Sequence, residues 1–133
     1  MKASIDHIVL NCRDVERALE FYTHVIGLAG ERVEEFRAGK VLFPSIRVNA
    51  DTIIDLLPPD AWGGGESGEP RTNVDHFCLA VDGDSWPALE KRLKDRGVDY
   101  ELGPLTLSGA HGEGIAVYVR DSEGNRVELR HYD

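Results

Sequence analysis

An α+β protein built from two repeated βαβββ modules is what this sequence predicts, and three observations carry the prediction. The apolar run Ile5-Asp6-His7-Ile8-Val9-Leu10 returns, altered, as Val74-Asp75-His76-Phe77-Cys78-Leu79. An amphipathic segment follows each run, and further strand-like runs follow each amphipathic segment. The register between the copies is nearly constant. His7 to His76 is an offset of 69, Ala18-Leu19-Glu20 to Ala88-Leu89-Glu90 one of 70, Gly27 to Gly97 one of 70, and Asp55 to Glu128 one of 73. An offset held along the whole chain marks an internal duplication, while the period is too long and the copies too few for a solenoid.

The elements follow in order. Ile5–Asn11 reads as the first strand, with Ile5, His7 and Val9 on one face and Asp6, Ile8 and Leu10 on the other. Asp14 is an N-cap for the helix that follows. Val15, Ala18, Leu19, Tyr22, Val25 and Ile26 form one apolar stripe along it, and Gly27 stops it. Two or three strands are expected next, over roughly 30–36, 41–48 and 52–57, the last ended by Pro58-Pro59. The stretch from Pro58 to Pro70 holds four Gly and three Pro, so the region from Pro58 to Arg71 reads as a linker or loop and not as an element. Trp62 within it is either a plug that tacks the linker down or a lid residue over a site. Val74–Val81 is the strand that opens the second module. Ser85 or Asp84 caps a helix running to about Arg96, with Pro87 in its first turn and Gly97 as its stop. A strand is expected over 98–102, a turn at Gly103-Pro104, and two strands over 114–120 and 125–131 joined by the hairpin signal Asp121-Ser122-Glu123-Gly124.

At 133 residues the chain is one domain, with module one over about 1–58, a linker over about 58–72 and module two over about 73–133. An apolar fraction of 41% supports a core, and a charged fraction of 29% fits a soluble globular protein. A net charge of -9 argues against nucleic acid and against an anionic membrane surface as partners, since both need a basic face. No apolar run approaches the ~20 residues that cross a bilayer. Met1-Lys2-Ala3-Ser4 leads straight into a strand without the features of a signal peptide. Cys12 and Cys78 form no C-x-x-C pair and read as reduced thiols. A cytoplasmic location is the expectation that follows.

The chemistry is read from the strand faces. His76 shares its face with Val74, Cys78 and Ala80, which are smaller than Phe77, Leu79 and Val81 on the opposite face. The larger set packs under the helix, so His76, and His7 by the same argument, project from the sheet face away from the helices. Asp55 lies inside Thr52-Ile53-Ile54-Asp55-Leu56-Leu57 and is costly to bury unless ligated or ion-paired. Glu128 between Arg126 and Arg130 reads, alone, as a solvated sheet edge. The repeat changes the weighing: a His recurs at one place in both modules, and an acid at another. Two His with one or two carboxylates suit a divalent transition metal with water in the remaining positions. Tyr118, Glu113 and His111, on the seventh strand and the loop before it, are candidates for general acid or base beside such a metal, Glu113 and Tyr118 first among them. His24 and His131 read as surface residues.

The chain resembles members of the vicinal oxygen chelate superfamily, the group of glyoxalase I, the bleomycin resistance proteins and the extradiol dioxygenases. The resemblance spans essentially the whole chain. It rests on Asp6-His7, on Arg13 to Tyr22 leading to Gly27-Leu28, on Asp75-His76, and most specifically on Val119-Arg120-Asp121-Ser122-Glu123-Gly124-Asn125-Arg126-Val127-Glu128-Leu129. It implies a cup-shaped mixed sheet of paired modules with the helices on its outer face and a divalent metal inside. Its metal positions match His7, Asp55, His76 and Glu128, and the ion would be Zn, Ni, Mn, Co or Fe. The implied function is metal-dependent chemistry on a small oxygenated substrate chelated through vicinal oxygens, of the glyoxalase-like lyase or isomerase, fosfomycin-resistance-like or dioxygenase-like kind. The alternative it leaves is a metal-free binding protein of the bleomycin-resistance type. One departure stands out: glyoxalase-like members mostly carry Glu or Gln where this chain has Asp55, which is shorter by one methylene, about 1.5 Å. Short members often complete the cup with modules of two chains, so a homodimer is expected.

Overall fold

The computed structural model describes residues 1–63, 73–120 and 126–133. In chain order the elements are β1 (Ala3–Asn11), α1 (Val15–Glu20) running on as a π-helical turn (Phe21–Val25), β2 (Ala29–Glu31), α2 (Val33–Arg37), β3 (Ser45–Arg47), β4 (Ile53–Leu57), α3 (Pro59–Trp62), β5 (Val74–Val81), a 3₁₀ turn (Gly83–Ser85) leading into α4 (Trp86–Asp95), β6 (Leu102–Gly109), β7 (Gly112–Arg120) and β8 (Arg126–His131). The fold is α+β, and the order strand, helix, three strands recurs in both halves of the chain, with α2 inserted in the first.

The chain forms two compact units, Met1–His7 with His76–Asp133, and Ile8–Asp75. In the first the strand order is β1-β5-β8-β7-β6, and in the second β2-β3-β4-β1; β1 contributes to both. β5 and β8 run parallel, while β8, β7 and β6 form antiparallel pairs. β2, β3 and β4 are likewise antiparallel.

In the first unit, Val81, Val117, Val119, Val127 and Leu129 lie on one sheet face with Trp86 of α4 buried against them, and Phe77, Leu79, Leu89 and Leu93 pack around this core. Burying a large apolar side chain contributes roughly 1.5–3 kcal/mol, so this one face anchors the sheet. The opposite face, by alternation, carries His76, Cys78, Tyr118, Glu128 and Arg130, which agrees with the side expected for His76. In the second unit Val15 and Leu19 of α1 pack on Ile46 and Leu56. Asp14 caps α1 by accepting from the Arg17 N–H at 3.1 Å. Gly27 and Gly97 take left-handed φ values of 93° and 70° beyond the ends of the two helices, as their places in the repeat require.

Several local expectations are corrected. The stripe expected through Ile26 ends early: the turn after Glu20 closes from Ile26 N–H to Phe21 O at 2.9 Å, and Val25 and Ile26 turn outward at 68% and 54% exposed. Residues 33–37 are helical and not a strand. Arg32 in the left-handed region turns the chain, Glu34 and Glu35 suit a helix N-terminus, and Val33 and Phe36 reach the core at helical spacing. The strand expected over 41–48 is formed only at Ser45–Arg47, after Pro44. Pro59–Trp62, read as linker, forms a helical turn, and Trp62 Nε1 donates to Cys12 O at 3.0 Å, which tethers it. Asp82, not Ser85 or Asp84, supplies the side-chain cap before α4. Gly103-Pro104, expected as a turn after a strand over 98–102, is a bulge inside β6. The hairpin signal at 121–124 lies outside the described residues.

Candidate functional site

The site belongs to the first unit and is built by pairing. In the β5–β8 ladder Cys78 stands opposite Glu128, and in the β7–β8 ladder Tyr118 stands opposite the same Glu128. His76, two residues before Cys78, therefore shares their face. β1 brings His7. The result is a cluster in which His7 is 3% exposed, His76 8%, Tyr118 8% and Glu128 1%.

Three groups converge on one oxygen. Glu128 Oε2 accepts from His7 Nε2 at 2.9 Å, from His76 Nε2 at 3.1 Å and from the Tyr118 hydroxyl at 3.0 Å. The His7 and His76 rings meet edge to face with centroids 5.7 Å apart, and His76 meets Tyr118 in the same way at 5.2 Å. On the far side of His7, Nδ1 donates to Asp6 Oδ1 at 2.6 Å. Arg130, fully buried, donates to Glu128 Oε1 at 3.3 Å and to Ser108 O at 2.9 Å, and also bonds Leu107 O. It stands 3.9 Å from Asp6. The two buried carboxylates thus have a guanidinium and an imidazole between them.

These contacts set the protonation states. Burial opposes a charge on His7, but the hydrogen bonds with Asp6, Cys78 and Glu128 outweigh it and raise its pKa to about 12. Burial would raise Glu128, but the hydrogen bonds from His7 and His76 and the Arg130 charge hold it below the usual carboxylate range. Burial, and then the Glu128 charge, push the Tyr118 hydroxyl up. Burial pushes the Cys78 thiol up to about 12, so this thiol is neutral beneath the site.

His7, His76 and Glu128 offer ligand atoms that all lie within 4.8 Å of one another. Two ligands at right angles on an ion with bonds of roughly 2.1 Å stand about 3.0 Å apart. The 2.9 and 3.1 Å separations from Glu128 Oε2 match that edge, so the donor set fits a divalent ion in type and spacing. Asp6 on the other nitrogen of His7 would leave Nε2 as the atom to ligate such an ion. Asp6, His7 and Cys78 form a second such grouping.

The other expected residues are placed differently. Asp55 lies on β4 in the second unit, 4% exposed, where the Ser45 hydroxyl donates to it at 2.5 Å and Arg32 stands 3.6 Å away. The Arg32 charge and the Ser45 hydroxyl thus offset part of the cost of burying Asp55. Glu113 is exposed at the start of β7 and, by alternation, faces the side of Val117 and Val119; the structure does not bring it to the Tyr118 side. His111 meets Tyr132 edge to face with centroids 5.3 Å apart. Glu128, whose flanking arginines read as a solvated edge, is interior because β8 runs between β5 and β7. Sequence reasoning missed Asp6, Arg130 and Tyr132. An acid inside an apolar strand beside His7 was a usable signal for Asp6; for Arg130 the signal was its shared face with Glu128.

The family description "Glyoxalase/Bleomycin resistance protein/Dioxygenase superfamily" matches residues 4–129, and the chain belongs to this superfamily. Among curated relatives, a glyoxalase domain-containing protein of Mycosarcoma maydis is 29% identical over 97% of this chain and 68% of its own length. A lactoylglutathione lyase of Salmonella typhimurium is 26% identical over 92% of this chain and 88% of its own. Among solved structures, a Mn(II)-bound glyoxalase from Novosphingobium aromaticivorans superposes with a TM-score of 0.70 at 21% identity, covering 97% of this chain and 38% of that one. A methylmalonyl-CoA epimerase superposes with a TM-score of 0.63 at 20% identity, covering 97% and 94%. These likenesses show the shared fold. Among the described residues no helix is long and apolar enough to cross a membrane.

Proposed function

We propose that the protein is a divalent-metal-dependent enzyme acting on a small substrate held through two neighbouring oxygens. The observation that carries this reading is the convergence of two imidazole Nε2 atoms and a tyrosine hydroxyl on Glu128 Oε2 in a nearly solvent-free cluster. His7, His76 and Glu128 would hold the ion, a donor set suited to Mn, Fe, Co, Ni or Zn. Once bound, the ion would polarise the substrate oxygens and stabilise the oxyanion formed on them. The Tyr118 hydroxyl, on the same face, would donate to the substrate as general acid. Asp6 and Arg130 would keep His7 and Glu128 in place. The lactoylglutathione lyases among the relatives favour lyase or isomerase chemistry over oxygenation. A homodimer accompanies this reading, in keeping with exposed apolar side chains such as Phe21, Val25 and Leu42.

Metal analysis of the purified protein tests it. One divalent ion per cluster is expected, together with a thermal stabilisation worth about 2.7 kcal/mol at a hundredfold excess over Kd. Both should be lost in His76→Ala. Protein that carries no such metal and gains no stability from Mn, Fe, Co, Ni or Zn would overturn the proposal.

A further inference from the structure

Tyr132, the penultimate residue, is separated from the cluster in sequence and joined to it in space. Its hydroxyl accepts from the His111 backbone N–H at 3.2 Å and donates to Asp6 Oδ2. Because the oxygen already accepts from a fixed N–H, its own proton is directed at Asp6. The other Asp6 oxygen accepts from the Ala110 N–H at 3.0 Å and from His7 Nδ1 at 2.6 Å. Asp6 is fully buried, so no water replaces any of these donors.

Space is cleared for this arrangement. A Cβ on Gly109 would stand 2.4 Å from the Tyr132 hydroxyl and 2.2 Å from Arg130 Nη1, and one on Gly114 3.1 Å from the Tyr132 ring. Arg130 lies over the Tyr132 ring, 4.8 Å from its centroid, and His111 closes the ring's edge. The ring therefore has one seat, and that seat aims its hydroxyl at the carboxylate that orients His7.

We propose that Tyr132 is a positioning residue for the metal site: its hydroxyl fixes Asp6, and Asp6 fixes the His7 ring with Nε2 turned to the ion. The inference rests on the metal reading above. Partners one step behind a ligand are worth about 10–100-fold in metal affinity. Loss of the Tyr132 hydroxyl, two steps behind, should cost near the lower end, about tenfold.

The test measures affinity for Mn and Ni, beside the melting temperature of the metal-free protein, in wild type, Tyr132→Phe, Asp6→Asn and the double variant. Tyr100→Phe is the control, since its hydroxyl meets Glu90 at 3.3 Å, outside the cluster. Tyr132→Phe is expected to bind metal about tenfold more weakly, Tyr100→Phe to match wild type, and Tyr132→Phe to add nothing in the Asp6→Asn background. A merely structural role would lower the melting temperature and leave the affinity alone. Wild-type protein that binds metal while Tyr132→Phe binds it equally well overturns this inference alone, as does a full tenfold effect persisting in the Asp6→Asn background. Wild-type protein that binds no metal overturns the parent reading, and this one with it.

Discussion

Glu128 and Asp55 close the two modules from equivalent places, each in the last strand and each buried, at 1% and 4% exposed. Their partners differ in kind. Glu128 meets two imidazoles, a phenol and a fully buried guanidinium. Asp55 meets the Ser45 hydroxyl and Arg32, whose side chain is 30% exposed. The Arg32 guanidinium also donates to Ser45 Oγ at 2.5 Å, so Arg32, Ser45 and Asp55 are linked pairwise. Duplication preserved the acid; the residues sharing its face determine whether it meets imidazoles and a phenol or a hydroxyl and a guanidinium.

The largest expected effect comes from removing the cation on the Glu128 side. Arg130 has no exposure, and Glu128 and Asp6 both lie against it. Arg130→Leu leaves buried carboxylates with less compensation, and should cost about 3–5 kcal/mol in a denaturant titration. A loss under 1 kcal/mol would mean that His7 alone neutralises both acids, and the contrast between the two clusters would shrink accordingly.

On the Asp55 side the same kind of change should cost less. Asp55→Asn keeps the shape and an acceptor for Ser45, and removes the charge facing Arg32. Arg32 is partly exposed and turns to water, so a loss of about 1–3 kcal/mol is expected. Equal losses for Asp55→Asn and Arg130→Leu in the same titration would break the distinction drawn between an ion pair open to water and one closed to it.

The same contrast explains what could be read in advance. β1 and β5 were legible because period-two alternation and the repeat agree on them, and β5 spans Val74–Val81 as expected. His7 and His76 followed from that alternation. Glu128 was legible only through the repeat, since its Arg neighbours suggest an exposed edge until β8 is known to run between β5 and β7. Tyr132 was not legible as a site residue, and Arg130 only through the face it shares with Glu128. Their roles depend on long-range contacts with Asp6, Arg130 standing 3.9 Å from it and Tyr132 bonding it across 126 residues. No local pattern encodes where a hairpin tip and a chain end fold back. The helix over 33–37 was missed for the opposite reason: Val33 and Phe36 carry the helical spacing, but a five-residue segment is too short for periodicity to outweigh a strand reading.

The smallest contrast lies in the helix caps, Asp14 in one module and Asp82 in the other. Asp14 accepts one backbone N–H, from Arg17 at 3.1 Å, and Asp14→Ala should cost about 1 kcal/mol. Asp82 accepts two, from Ser85 at 2.9 Å and from Lys2 at 2.6 Å, so it ties the start of β1 to the 3₁₀ turn as well as capping it. Hydrogen bonds from Ser85 and Lys2 hold its pKa at about 2, against an ordinary value of 3.8. A carboxylate depressed in the folded state contributes stability above its ordinary value and loses it as the pH falls through the folded one. Asp82→Asn should therefore melt below wild type at pH 6, and the gap should close as the pH falls from about 4 towards about 2, where both side chains are neutral. A gap unchanged down to pH 2 would show that the Asp82 charge contributes nothing. The second N–H would then be a matter of shape, and the two caps would be equivalent after all.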